Sequence, residues 1–191
     1  MDKKPNKSKD GRRKRVTPPA GRSRGPHPAS PPSKLVLKKL QSMPTSGYIT
    51  RNPDTGYIYL DLDDEWILSL YGDDDMMEKH GYEMPPYFYG DNATGAHVTL
   101  IPADIGEKYK DRKVGAGRKI EFKVTGASPL YPSYRWYGME ALYMIWIESE
   151  ELDQYIDSFN DPDYDGPGYG KFHFCVGVRS IDTRNKMMKR K

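Results

Sequence analysis

The chain has a single cysteine, Cys175, in 191 residues. An internal disulfide is therefore excluded, and packing and hydrogen bonds must hold the fold. No apolar run reaches the roughly 20 residues that a membrane-spanning helix needs, so no membrane partner is expected. The N-terminal charges are not followed by the apolar stretch of a signal peptide. Without an export signal, the sequon Asn92-Ala93-Thr94 carries little weight, and a cytoplasmic or nuclear location is expected. Residues 1–33 contain no aromatic residue, few aliphatic ones and seven prolines. Such a segment cannot bury enough apolar surface to offset the entropy of ordering, which predicts a disordered tail.

Charge is unevenly spread. Residues 1–33 carry ten Lys or Arg against two Asp, a net of +8. The whole chain carries only +3, so residues 34–191 carry −5. The expected organisation is a basic Pro-rich tail (1–33), one domain (34–183) and a short basic C-terminal tail (184–191). Gly11-Arg12-Arg13-Lys14-Arg15 suits a nuclear localisation signal, a nonspecific RNA tether or a plain solubilising extension.

Periodicity begins after the tail. Leu35 to Leu40 fits either a short strand or a helical turn. Tyr48-Ile49-Thr50 and Tyr57 to Leu62, separated by Asn52-Pro53-Asp54-Thr55-Gly56, predict a strand, a turn and a strand. Asp63 can cap a short helix that includes Trp66, Ile67 and Leu70. A polar connector then runs to Gly95. Further strands are predicted over 96–101, 119–125, 141–147 and 172–178, with an amphipathic helix over 149–159. Residues 102–118 read as irregular. These elements predict an α+β fold.

Histidine is scarce, and two of the four lie on predicted strands: His97 and His173. Each is followed at +2 by a small hydroxyl or thiol residue, Thr99 and Cys175. Strand alternation puts His97 with Thr99 on one face, and His173 with Cys175 likewise. Two such strands side by side would gather two imidazoles and two small donors around one point, a suitable cradle for a phosphate. Cleaving a phosphodiester needs one base and one acid, and imidazole serves as either near neutral pH. A hydroxyl at +2 would steady a nonbridging oxygen as charge develops. No metal or cofactor is required by this chemistry.

His97-Val98-Thr99-Leu100 resembles the His-x-Thr-x motif of the 2H phosphoesterase superfamily, and His173-Phe174-Cys175-Val176 resembles its second copy, with Cys where Thr or Ser is usual. The resemblance extends to element order over about residues 48–180. It implies a monomeric bilobal fold, with two antiparallel sheets flanking a central groove and helices outside. It also implies a metal-independent phosphodiesterase acting on 2′-5′ oligonucleotides, cyclic dinucleotides or cyclic phosphates. Members that degrade nucleotide immune messengers, including viral anti-defence enzymes, make that role an expectation too. A thiol donates hydrogen bonds more weakly than a hydroxyl, so Cys175 leaves open a noncatalytic RNA- or nucleotide-binding module.

Further substrate-binding candidates are Tyr57, Tyr59 and Lys171, by position, and Arg135, Trp136 and Tyr137 in an aromatic loop suited to stacking on bases. Asp161-Pro162-Asp163 imitates a calcium loop, but Phe172 stands where its Glu should be. Gly115-Ala116-Gly117-Arg118-Lys119 lacks phosphate-loop spacing, though it offers positive charge to a substrate. The expected partner is a nucleotide or oligonucleotide, with RNA contact through the basic tails.

Overall fold

The computed structural model describes residues 28–72, 75–89, 93–132, 138–164 and 166–188. These residues form an α+β fold with two antiparallel sheets and few helices. In the first sheet, β1 (Ser46–Arg51), β2 (Ile58–Asp61), β3 (His97–Ile101) and β4 (Lys119–Glu121) lie in the order β3-β2-β1-β4. In the second, β5 (Lys123–Leu130), β6 (Met139–Glu148) and β7 (His173–Ser180) lie in chain order.

The single strand expected over 119–125 breaks at Phe122 and changes sheets. Its alternation persists, with Ile120 and Phe122 buried and Val124 half-buried. The hydrogen-bond partners change instead: β4 pairs with β1, β5 pairs with β6, and the Phe122 N–H turns to the Thr45 carbonyl at 3.0 Å. Side-chain period reports which face is buried and says nothing of which neighbour pairs.

One face of the first sheet carries Ile49, Leu60, Val98 and Leu100, all fully buried. Trp66, from the short helix α2 (Glu65–Leu68), joins both sheets by contacting Phe122 and Phe174, at centroid distances of 6.0 and 5.3 Å. Its indole N–H donates to the Pro44 carbonyl, which satisfies the polar edge of a buried ring. The N-cap of this helix is Asp64, one residue beyond the expected Asp63, whose carboxylate accepts from the Glu65 N–H. The ambiguous 35–40 segment lies in helix α1 (Ser33–Lys39). Residues expected to be irregular include the short helix α3 (Ala103–Gly106) and a following 3-10 turn.

The helix expected over 149–159 is α4 (Glu150–Asp157). Ser149 caps it by accepting from the Leu152 N–H, and three acidic residues occupy its first turn, where the helix dipole favours them.

The tail boundary moves. Residues 28–32 are laid against the domain rather than free of it, with Pro28 and Pro31 buried. Arg179 donates to the Pro28 carbonyl, Tyr143 to the Pro31 carbonyl, and the Ser30 hydroxyl meets Tyr82 and Tyr131. Carbonyl groups, which composition does not register, make these contacts. The disorder expected of residues 1–27 concerns positions outside the described residues. At the other end, α5 (Ile181–Met188) occupies most of the expected tail.

The connector before β3 is also more structured than its polarity suggests. Met77 and Tyr82 are buried, and Glu83 forms an antiparallel bridge with Val178 on the edge of β7. Among the described residues, no helix is long and apolar enough to cross a membrane.

Candidate functional site

The two histidine strands are terminal strands of their sheets, and β3 approaches β7. On β3, Thr99 stands opposite Tyr59 and His97 opposite Asp61, so these four share the face turned away from Ile49, Leu60 and Val98. On the second sheet, His173 stands opposite Trp146, and Cys175 opposite Met144. His97, Thr99, His173 and Cys175 line one cavity of about 200 Å³ with Tyr87, Met139, Leu142 and Met144. Four predicted site residues, distant in sequence, are thereby gathered around one space.

The two imidazoles are held alike. Nδ1 of His97 lies 2.8 Å from the Gly95 carbonyl, and Nδ1 of His173 lies 2.8 Å from the Lys171 carbonyl. A carbonyl oxygen only accepts, so Nδ1 carries the hydrogen in each neutral ring and Nε2 keeps its lone pair. Gly95 has a left-handed φ of +65°, and a Cβ there would lie 2.2 Å from Asp64 Oδ1. That same carboxylate oxygen accepts from the Ala96 N–H at 2.8 Å, so a glycine bend sets the carbonyl that orients His97. Burial lowers both histidine pKa values, and the carbonyl contacts oppose it in part.

Aromatic rings surround each histidine. Tyr87, Tyr59 and Tyr57 meet the His97 ring edge to face, at centroid distances of 4.6, 5.5 and 5.9 Å. Trp146 and Tyr169 flank His173 at 5.4 and 5.6 Å. The Tyr57 hydroxyl lies 2.7 Å from Thr99 Oγ1, and burial pushes its pKa up to about 12. Tyr57 therefore stays protonated. Two hydroxyls share one hydrogen between them, which leaves the other free to donate to a ligand oxygen.

The half-site of His173 differs. The Cys175 thiol donates to the Gly177 carbonyl at 3.2 Å, and burial raises its pKa to about 11. It is a neutral thiol engaged with its own strand, unsuited to act as a thiolate nucleophile.

Of the candidates named by position, Tyr57 and Tyr59 meet the His97 ring without lining the cavity, and Lys171 lines a separate depression with Trp146 and Tyr169. Arg135, Trp136 and Tyr137 lie outside the described residues. Arg118, expected to offer charge to a substrate, instead pairs with Glu151 at 2.8 Å and lines neither space. Near α4, a depression of about 680 Å³ is lined by Asp153, Asp157 and Asp161 and contains neither histidine.

Tyr87, Trp146 and Tyr169 were not singled out by sequence. Trp146 faces His173 through strand pairing, which no reading of one strand reports. Tyr87 follows Pro85-Pro86 in a connector whose composition signals only a loop. Its hydroxyl donates to the Cys175 carbonyl on the exposed edge of β7, and this contact brings its ring to His97.

Among the described residues, no group of three or more His, Cys, Asp or Glu is placed to hold a metal ion. No family model, curated protein or solved structure matches the chain.

Proposed function

We propose that this cavity cleaves RNA-type phosphodiesters by two-histidine acid–base catalysis, within a bilobal fold of the 2H phosphoesterase kind. The observation that carries this reading is the matched pair: His97 and His173 reach one cavity from two sheets, each with Nδ1 held by the carbonyl two residues before it. Each ring thus presents Nε2 for proton transfer.

In the proposed cycle, one Nε2 removes a proton from a ribose 2′-hydroxyl or a water, whose oxygen attacks phosphorus. The other imidazole, protonated at Nε2, gives its proton to the departing oxygen. The Thr99–Tyr57 hydroxyl pair donates to a nonbridging oxygen, strengthening as negative charge develops there. Imidazoles supply both proton transfers, so the scheme needs no metal. Substrates are 2′-5′ oligonucleotides, cyclic dinucleotides or cyclic phosphates, and destruction of a nucleotide immune messenger is the role proposed for it.

One observation favours a second reading, a nucleotide-binding module without turnover: the Cys175 thiol lines the cavity but donates its hydrogen to the Gly177 carbonyl. Incubation in EDTA with 2′-5′ oligoadenylate, cyclic dinucleotides and 2′,3′-cyclic nucleotides separates the two. Turnover that falls at least about a hundredfold in both His97→Ala and His173→Ala supports catalysis, in keeping with the usual contribution of one acid or base. Tight binding without product from any of these substrates supports the second reading.

A further inference from the structure

Beside the cavity, the same face of the second sheet continues into an open depression of about 510 Å³, lined by Thr125, Ser128, Trp146, Glu148, Tyr169 and Lys171. The two spaces are contiguous by register. Trp146 pairs with His173 and Gly126, Met144 pairs with Cys175 and Ser128, and Glu148 follows Trp146 on the same face. His173 links them, since it lines the cavity and its ring packs against Trp146 and Tyr169 of the depression.

The groups in this depression are of three kinds. Trp146 and Tyr169 offer ring surface. The Trp146 indole N–H donates to Ser128 Oγ at 2.8 Å, which fixes the plane of the ring, and Gly126 opposite places no side chain over it. Tyr169 is 61% exposed and sits at a left-handed φ of +63°, a conformation that costs a non-glycine residue energy and projects the ring outward. Lys171 supplies a cation on the residue whose carbonyl orients His173, and continuing the strand register sets it level with Glu148. Glu148 supplies a carboxylate at the far end.

We propose that this depression is a base-binding subsite selective for guanine, with the base stacked on Trp146 and Tyr169 and its Watson–Crick edge on Glu148. The inference rests on reading the neighbouring cavity as a phosphate site. Stacking accepts any base, because every base has a π-face. The carboxylate does not. Guanine alone presents two adjacent N–H donors, N1–H and the 2-amino group, which a carboxylate accepts as a pair. Adenine and cytosine place a ring-nitrogen acceptor beside their amino group, and uracil places one N–H between two carbonyls.

The test is equilibrium binding of guanosine, adenosine, cytidine and uridine 5′-monophosphates to the full chain in EDTA. The guanosine nucleotide should bind about tenfold more tightly than the others, the scale of a bidentate base contact. Glu148→Gln, an exposed change that leaves the fold alone, should bring all four within about twofold. Tyr169→Ala should weaken the guanosine nucleotide roughly tenfold, as expected for one stacking partner. Equal affinities in the unaltered protein, absence of binding, or a guanine preference that survives Glu148→Gln overturns the subsite. Its failure is distinguishable from failure of the catalytic reading. Guanine preference without cleavage of any diester keeps the subsite and removes the catalysis. Cleavage lost in both histidine variants, with equal affinities, does the reverse.

Discussion

Glu140→Ala offers the sharpest test of what holds the site together. Arg179 is fully buried on β7, and its Nε donates to Glu140 on β6 at 2.8 Å, with Glu140 only 1% exposed. The same guanidinium donates to the carbonyls of His80 in the connector and Pro28 in the N-terminal segment, and it sits 4.7 Å from the Tyr82 ring centroid. One buried cation thus joins β6, β7, the connector that carries Tyr87, and the segment ahead of α1. Removing one partner of a buried pair strands the other charge and generally destabilises by about 3–5 kcal/mol. Two carbonyls and an aromatic face remain for Arg179, so the lower part of that range, about 3 kcal/mol, is expected. For a domain of this size that shifts the melting temperature by roughly 6–12 °C. Urea unfolding followed by tryptophan fluorescence measures it. The double variant Glu140→Leu/Arg179→Met should recover most of the loss, because apolar replacements carry no desolvation penalty. A single variant within about 1 kcal/mol of the unaltered protein would refute the reasoning.

Because burial lowers both histidine pKa values, the form with one neutral and one protonated ring is populated below about pH 6.5. kcat/KM should therefore peak on the acid side and fall about tenfold per pH unit above it; an optimum at pH 8 would contradict this. The unfolded chain binds these protons more readily than the folded one, so stability should be full above about pH 6.5 and decline as pH falls towards the folded values. Urea midpoints at pH 7.5 and pH 5 should show that direction. Gly106→Ala should destabilise by about 1–3 kcal/mol or more, since its Cβ would lie 2.1 Å from the Gly56 carbonyl oxygen, and backbone cannot rotate aside; a neutral effect in denaturant melts would show that the α3 loop relaxes freely. Cys175 should resist iodoacetamide in the folded protein and react on unfolding, because its thiol pKa is raised to about 11. Rapid native labelling would contradict its raised pKa and its bond to Gly177.

Much of the secondary structure was legible because alternation records burial directly. Val98, Leu100, Phe174 and Val176, all buried, alternate with His97, Thr99, His173 and Cys175, so spacing alone puts each histidine on one face with the small residue two positions on. What escaped were relations between segments. Phe122 switches sheets with its burial period unbroken, and the Pro28–Pro32 stretch, read as part of a disordered tail, is held by hydrogen bonds to its carbonyls.

From sequence alone came the residue types and their faces: two histidines, each two positions from a small donor, on strands with one apolar side. That much depends on the period of an extended chain, which is local. Only tertiary structure decided that β3 and β7 are terminal strands facing one another, that Tyr87 crosses to His97, and that Trp146 stands opposite His173. It also decided that Thr99 has a tyrosine partner while Cys175 bonds to Gly177. Apart from the Cys175–Gly177 bond, those outcomes depend on strand pairing, register and packing between separate segments, from Trp146 with His173 on paired strands to Tyr87 with Cys175, 88 positions apart, and no local pattern encodes such a partner.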